Sequence, residues 1–489
     1  MTKYKVAYLY SEQPDYVRVK KVLKIFADVD ADVHYIGCRR GNDNQRNYED
    51  LDDISLHIAN INIPHGGFGS LIKTTLFLCY AIYVVIKIKP DLIVGVNEEL
   101  CFPFAKLFKR PRLICELYDS LALRASSADS WVGRICRFIS ESTLSNCDAL
   151  IEVSYDRLQL HTNRPANSIV IPNSIDKNVN ANFVMGPLAK RLEKITTPYI
   201  YVSGSFTDEI NGLEQLLSAL DVIDTDCIVV AAGRPNGAWV NSDFVNHARV
   251  TFIGHVSPNQ SQFIAKNSIG LFAYYKPISL LYEHAAPNKI FDAMSLGIPI
   301  FMNSECKATQ FSVNNGFGLA ARYSDVNQLA NNIKKVIEIL FEYKEKFEDE
   351  VKNFKKLTSG KSKGFRAPTF SLNDTSSWAI DMLRECGYQY DSSVVPAKGK
   401  MYGLPNALTE PYRISSSSIE NDDPDSDMLE FPLLVTKFLG KKIPAGGGFY
   451  LRTLPMRIIK NAIRRYEDLN IPATFYIHSW ELTPEFFPK

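Results

Sequence analysis

Paired cysteines, clustered histidines, an excess of charge and long hydrophobic runs are all scarce in this 489-residue chain. Its nine cysteines are odd in number and include no Cys-x-x-Cys pair. That pattern argues against a disulfide framework or a thiolate zinc site and fits free thiols in a reducing cytosol. The eight histidines are His34, His57, His65, His161, His247, His255, His284 and His478, and no two stand four apart, so no helical His pair is offered to a metal. A net charge of +1 argues against a protein built mainly to hold nucleic acid. The opening Tyr4–Tyr10 reads as a strand rather than a signal peptide, so a cytoplasmic protein is expected.

The one membrane-like run, Thr74–Ile86 between Lys73 and Lys87, is shorter than the roughly 20 apolar residues a bilayer span needs. A buried helix is the favoured reading. The other is a helix lying on a membrane surface with its lysines on anionic lipid, a peripheral contact at the cytoplasmic face.

What the chain has is alternation. In residues 1–180, apolar strands at Lys5–Tyr10, Asp32–Ile36, Ser55–Ile63, Asp91–Val96, Leu113–Leu117, Ala149–Val153 and Ser168–Ile171 interleave with helical spacing at Val17–Phe26, Leu71–Ile88 and Val132–Leu144. Continuous apolar strands alternating with helices predict a parallel, doubly wound α/β sheet, with ligands beyond the carboxyl ends of its strands. Those ends carry Tyr16-Val17-Arg18, Pro64-His65-Gly66-Gly67, Asn97-Glu98-Glu99, Glu116-Leu117-Tyr118-Asp119-Ser120 and Pro172-Asn173-Ser174-Ile175-Asp176. His65 and Asp119 are the candidate catalytic side chains on this rim, against a plain loop role. Residues 181–341 repeat the pattern, with strands at Tyr199–Val202, Cys227–Ala231, Val250–Ile253, Ser268–Tyr274, Ile298–Met302 and Gly316–Ala320. Strand ends at Ser203-Gly204-Ser205 and Ala232-Gly233-Arg234 fit a second, nucleotide-binding Rossmann-like domain.

The most informative stretch is Glu283-His284-Ala285-Ala286-Pro287-Asn288-Lys289-Ile290-Phe291-Asp292-Ala293-Met294-Ser295-Leu296-Gly297-Ile298-Pro299. Asn288 can cap a helix whose apolar positions Ile290, Phe291, Met294 and Leu296 face inward, and Gly297 ends it. The open N-terminus of such a helix suits phosphate, with Lys289 placed for a phosphate and Asp292 for a sugar hydroxyl.

Pro287–Pro299 also resembles the donor-sugar motif of the retaining GT-B glycosyltransferases of family 4. The hinge Pro172–Asp176 and the run from Gly254-His255 to Gly270-Leu271-Phe272 extend the resemblance over roughly residues 1–340. It implies two Rossmann-like domains, a nucleotide-sugar donor as substrate with no separate cofactor, and a glycan or lipid-linked acceptor on the first domain's rim. The substrate-binding candidates are Arg234, Glu283, His284, Asn288, Lys289 and Asp292. This chain departs from the pattern in two places. Asp292 stands where the family has Glu, with His284 at the first acidic position and Glu283 one residue before it. The loop Gly204–Gly212, where the family places an Arg and a Lys for the diphosphate, carries no base and two acids.

Residues 342–489 change texture. A charge-rich helix with Phe347, Val351, Phe354 and Leu357 at helical spacing leads to Phe365-Arg366-Ala367-Pro368, Tyr390-Asp391-Ser392-Ser393 and Ile477-His478-Ser479-Trp480-Glu481, and Ser415–Asp427 reads as a mobile acidic loop. These motifs resemble the C-terminal half of a polysaccharide deacetylase of the NodB class. The resemblance implies a partial (β/α) barrel fragment in which Arg366, Asp391 and His478 are relics of a site whose metal ligands belong to the missing half. Three functions are open from sequence: a glycosyltransferase of surface or exopolysaccharide assembly with an inactive tail, a non-catalytic fusion or scaffold, and a deacetylase.

Overall fold

The computed structural model describes residues 3–14, 17–39, 51–63, 68–108, 111–124, 131–174, 187–192, 195, 197–206, 211–235, 244–373, 376–399, 402–438 and 440–477. Strands β1 (Lys5–Leu9), β2 (Asp32–Arg39), β3 (Ile54–Asn62), β4 (Leu92–Val96), β5 (Arg112–Glu116), β6 (Ala149–Glu152) and β7 (Ser168–Val170) form one sheet in the order β3-β2-β1-β4-β5-β6-β7. Every pairing in it is parallel. The order reverses at β1, so right-handed crossovers put helices on both faces. Helix α1 (Val17–Asp28) packs on one face through Val19 and Leu23 against Tyr8, Tyr35 and Val94. On the other face lie α2 (Phe68–Ile88), α3 (Glu98–Leu107), the four-residue α4 (Leu121–Arg124) and α5 (Trp131–Leu144). Helix α6 (Tyr155–Leu160) follows β6, and α7 (Pro187–Leu192) precedes the second sheet.

That sheet joins β8 (Tyr199–Phe206), β9 (Ile228–Pro235), β10 (Val250–Gly254), β11 (Gly270–Ala273), β12 (Ile300–Asn303) and β13 (Gly318–Ala321) in the order β10-β9-β8-β11-β12-β13. All its pairings are parallel, as the alternating pattern predicts. Around it stand α8 (Leu213–Val222), α9 (Pro258–Lys266), α10 (Leu280–Glu283), α11 (Asn288–Leu296), α12 (Ala308–Asn314) and α13 (Val326–Leu357).

Four expectations need correction. Helix α2 is not buried. Phe77, Ala81, Val84 and Val85 enter the core while the opposite face, including Leu76 and Tyr83, is open to solvent. The expected boundary at 341/342 falls inside α13, a single 32-residue helix. Its first half packs through Leu329, Ile333 and Ile337 on the second domain's core. Val351 and Phe347 of its second half pack on the tail. One helix is thus the last of the second domain and the first of the tail.

The tail's own sheet has two-residue strands β14 (Gly364–Phe365), β15 (Tyr390–Asp391), β16 (Tyr412–Arg413) and β17 (Leu429–Glu430) in the order β14-β15-β17-β16. Three run parallel as a barrel fragment requires, with α14 (Trp378–Glu385) crossing between β14 and β15, but β16 runs antiparallel. A hairpin of β18 (Val435–Phe438) and β19 (Lys441–Pro444), then α15 (Gly448–Thr453) and α16 (Met456–Asp468), completes it. The Ser415–Asp427 segment is packed rather than mobile. Ile414 and Ile419 are buried, Ser426 Oγ donates to the Ile414 carbonyl, and Arg413 and Asp422 form an ion pair.

Candidate active site

The carboxyl ends of the two sheets face one another, and Lys289, Asp292 and Asp119 stand at them. Helix α11 starts one residue earlier than the capping pattern predicts. Pro287 occupies the cap position with extended backbone, and Asn288 is the first helical residue, exposed and making no cap bond. Pro287 has no side-chain oxygen to accept from the first-turn N–H groups, so that end of the helix stays open to an anion. Ile290 and Ala293 are buried beneath α11, whereas Met294 points outward, against expectation. Gly297 closes the helix at φ 67°, a left-handed conformation that favours glycine.

Lys289 reaches from the first turn of α11 toward the end of β8. It lines a small pocket with Val202, Ser203, Asn211, Tyr274 and Tyr275. A Cβ placed on Gly204 would lie 3.7 Å from Lys289 Nζ. Lys289 is partly accessible, yet protein surrounds its ammonium, and burial pulls its pKa down to about 8 against the opposing pull of Asp292. Asp292, one turn on, is raised by burial and drawn back by Lys289 and then by Lys21 of α1. Lys21 therefore faces this pair from the first domain, and its Nζ also donates to the Ser174 carbonyl at 2.6 Å. The floor of the pocket is fixed by Asn303 at the end of β12, whose Oδ1 accepts the Tyr275 N–H at 2.8 Å.

Across the cleft, a polar ring holds the first domain's rim and its hinge. Arg18 donates to Glu116 Oε1 at 2.8 Å, to Asn173 Oδ1 at 2.9 Å and to the Ile171 carbonyl at 3.1 Å, with its guanidinium 5.4 Å from the Tyr118 ring centroid. Glu116 also accepts from Tyr8 Oη at 2.7 Å. Asn173 Nδ2 then crosses to the carbonyl of Ala286, just before α11, at 3.2 Å. The hinge segment therefore ties the rim to the donor-side helix.

Asp119 is exposed on this rim. Its N–H and that of Tyr118 donate to Asn97 Oδ1, and Asn97 itself takes φ 63°. The turn after it is pinned by the fully buried Glu98, which accepts from Ser120 Oγ at 2.6 Å, Ser140 Oγ at 2.9 Å and the Leu121 N–H at 2.8 Å. Tyr282 of the opposite domain is raised by burial and then by the Asp119 charge, which places the two across from each other. His284 faces α6, where Asp156 and Arg157 act on it. Burial lowers its pKa, and its Nδ1 is buried without a hydrogen-bond partner. Glu283 ends α10, and its carbonyl accepts the Lys307 N–H at 2.7 Å. His65 lies outside the described residues. The backbone of Arg234 is next to last in β9, opposite Ser205, and its side chain is likewise outside the described part.

The structure thus brings Lys289 and Asp292 together, with Lys21 facing them, while Asp119 lies across from Tyr282 and His284 faces α6. The sequence reading did not single out Lys21, Arg18 or Asn97. Their signal was position alone: Asn97 follows the end of β4, and Arg18 and Lys21 lie in the first turns of α1, the helix after β1. Helix α3 was missed because Pro103 interrupts its pattern.

In the tail, Arg366 donates to the Ser392 carbonyl and hydroxyl and lies 5.1 Å from the Tyr476 ring centroid. Asp391 and Glu430 are fully buried on adjacent strands. Burial, and then the Asp391 charge, push the Glu430 carboxyl well above the usual carboxylate range. Asp391 also accepts from Ser393 Oγ at 2.7 Å. His478 lies outside the described residues.

Residues 197–338 match the family profile described as glycosyl transferases group 1, and residues 392–487 match a domain of unknown function (DUF3473). No curated protein matches the chain. Among solved structures, sucrose-phosphate synthase from Thermosynechococcus elongatus superposes at a TM-score of 0.53 with 17% identity, over 69% of this chain and 90% of that one. An Anabaena protein, HepE, in complex with UDP-glucose superposes at 0.51 with 15% identity, over 69% and 90%. A trehalose-6-phosphate protein from E. coli bound with UDP-2-fluoro glucose superposes at 0.50 with 11% identity, over 68% and 91%. The chain has the two-domain GT-B fold of these structures, and within its second domain residues 197–338 are similar to group 1 glycosyl transferases.

Proposed function

We propose that the protein transfers a sugar from a nucleotide-sugar donor to a glycan or lipid-linked acceptor, in the assembly of a surface polysaccharide at the cytoplasmic side of the membrane. One observation carries this reading: an enclosed lysine at the open N-terminus of α11, with a carboxylate one turn away, facing a cleft between two Rossmann-like domains. The geometry suits a nucleoside diphosphate. Lys289 and the first-turn N–H groups of α11 meet the phosphates, and Asp292 accepts from a ribose hydroxyl. Departure of the diphosphate leaves negative charge where Lys289 stands, which is where electrostatic stabilisation of a transfer is needed. Asp119, exposed on the first domain's rim, is the side chain this reading assigns to the acceptor. Retention of anomeric configuration follows from the family 4 resemblance. HepE and the E. coli protein are described with UDP-glucose and a UDP-glucose analogue, which supports UDP as the first nucleotide to try.

The tail is read as chemically silent. Arg366 is held by Ser392, and Asp391 by Ser393. A second reading, a non-catalytic scaffold, is favoured by the absence of any Arg or Lys in Gly204–Gly212. Thermal unfolding with a panel of nucleoside diphosphates separates the two. Transfer predicts stabilisation by at least one nucleotide, lost in both Lys289→Ala and Asp292→Ala. A scaffold predicts none. Release of acetate from an acetylated glycan on adding divalent metal would favour the deacetylase reading instead.

A further inference from the structure

Helix α2 has two apolar faces. Phe77, Ala81 and Val84 point into the core, and Ile72, Leu76, Cys79, Tyr83 and Ile86 recur at spacings of three and four on the opposite side. Leu76 is 54%, Tyr83 62% and Ile86 57% exposed. A helix that is apolar all round belongs in a core or a membrane, and this one, long and apolar enough to span, is anchored flat on a soluble sheet. The same layer continues through α3 to α5, joined by an edge-to-face contact of Phe102 and Phe138. On α5, Trp131, Ile135 and Phe138 recur at helical spacing and are again exposed, Trp131 at 67%.

We propose that this outer face of α2, α3 and α5 docks on an anionic lipid bilayer. Charge decides for lipid over a protein partner. Lys73 and Lys87 flank the apolar stripe of α2, Lys106 lies in the last turn of α3, and Arg134 sits beside Trp131 on α5, whose exposed acid, Glu141, stands in the helix's last turn away from Trp131. Helix α2 has no acidic residue at all. An apolar stripe bordered by long cationic side chains is the pattern of an interfacial helix, whose stems bury while the charges meet lipid phosphates, and Trp favours that interface. The three helices each begin at the carboxyl edge of the first sheet, so Trp131 and the first turn of α2 lie on the cleft side of the layer. A lipid-linked acceptor would reach the Asp119 rim directly from the bilayer. This last step rests on the proposed transfer activity, and the docking itself does not.

Co-sedimentation of the full chain with vesicles of phosphatidylglycerol and phosphatidylcholine, against phosphatidylcholine alone, tests it. Binding should require the anionic lipid. It should weaken at least tenfold in Leu76→Lys/Tyr83→Lys/Ile86→Lys and, with the apolar face intact, in Lys73→Glu/Lys87→Glu. Trp131→Ala/Phe138→Ala should give a smaller loss. All these side chains are on the surface, and far-UV circular dichroism with the thermal midpoint checks that each variant is folded. No vesicle binding by the wild type, or binding indifferent to both multiple variants, overturns the proposal. So does a wild-type dimer on gel filtration that the triple variant dissociates without any change in vesicle binding. UDP-induced stabilisation should be unchanged in the triple variant, so failure here is separable from failure of the transferase reading.

Discussion

Lys289 should reveal its role by an inverse relation between stability and binding. Its ammonium is held at about 8 against an ordinary 10.5, and burial is the main cause. At about 1.4 kcal/mol per pKa unit, keeping that charge in the unliganded protein costs about 3 kcal/mol, or about 1–3 kcal/mol after allowing for partial accessibility and for the counter-charge of Asp292. Methionine has a similar length and no charge. Lys289→Met should therefore raise the unliganded thermal midpoint by several degrees and abolish stabilisation by UDP. The pH dependence follows from the direction of the shift. In the unfolded chain the lysine keeps its proton up to 10.5, and in the folded protein only to about 8. Between those values the unfolded state binds more protons, so wild-type stability gains from rising pH, whereas the variant loses this contribution. Affinity for UDP should run the other way, falling by up to about tenfold per pH unit above 8 in the wild type. Scanning fluorimetry and isothermal titration between about pH 6.5 and 9.5 measure both. A variant with a lowered unliganded midpoint and an undiminished UDP shift would refute the assignment of Lys289 to the phosphates.

Three further perturbations probe other parts of the chain. Gly212 takes φ 61°, and a Cβ there would lie 2.5 Å from Tyr274 Cβ, so Gly212→Ala should cost about 2–4 kcal/mol in denaturant unfolding and displace the neighbouring Asn211 from the donor pocket. The Glu430 carboxyl is raised in the fold above its unfolded value, so the unfolded state releases its proton first and the tail should lose stability as pH rises above the ordinary carboxylate range. Glu430→Gln keeps a donor toward Asp391 and should flatten that decline, followed through the fluorescence of Trp378, which packs edge-to-face on Phe347. Tyr343 is 67% exposed in the middle of α13, so Tyr343→Pro should cost about 3 kcal/mol locally and open a protease site between the second domain and the tail, while UDP binding by residues upstream persists. Cleavage elsewhere, with this helix intact, would count against α13 as the connecting strut.

The two parallel sheets were legible because each buried strand is a short continuous apolar run, such as Leu92–Val96 or Cys227–Ala231, set between helices. The register of the site was legible for a related reason. Pro287, Gly297 and Pro299 fix where α11 starts and ends, so Lys289 and Asp292 could be placed on one face from spacing alone. Pro287, rather than Asn288, proved to be the cap residue, because cap preference sets a helix start only to within a residue. The tail read poorly. Two-residue strands leave almost no period to detect, and the polar run after Ser415 hid the buried Ile419 among serines and acids.

Helix α2 shows why composition alone misplaced an element. Apolar content predicts burial only if a second layer exists to cover both faces, and that is a property of topology. Crossovers from β3 to β4, β4 to β5 and β5 to β6 lay α2, α3 and α5 side by side on the sheet, with nothing in the chain pattern to form a layer above them. A buried Ile–Val-rich helix and an exposed one therefore look alike in sequence. The discriminating signs were the positions rather than the number of apolar residues: a second stripe half a turn from the first, bounded by Lys73 and Lys87. Once the sheet order is known, that second stripe has to face outward. The exposure of its side chains is what the proposed docking on a bilayer would account for.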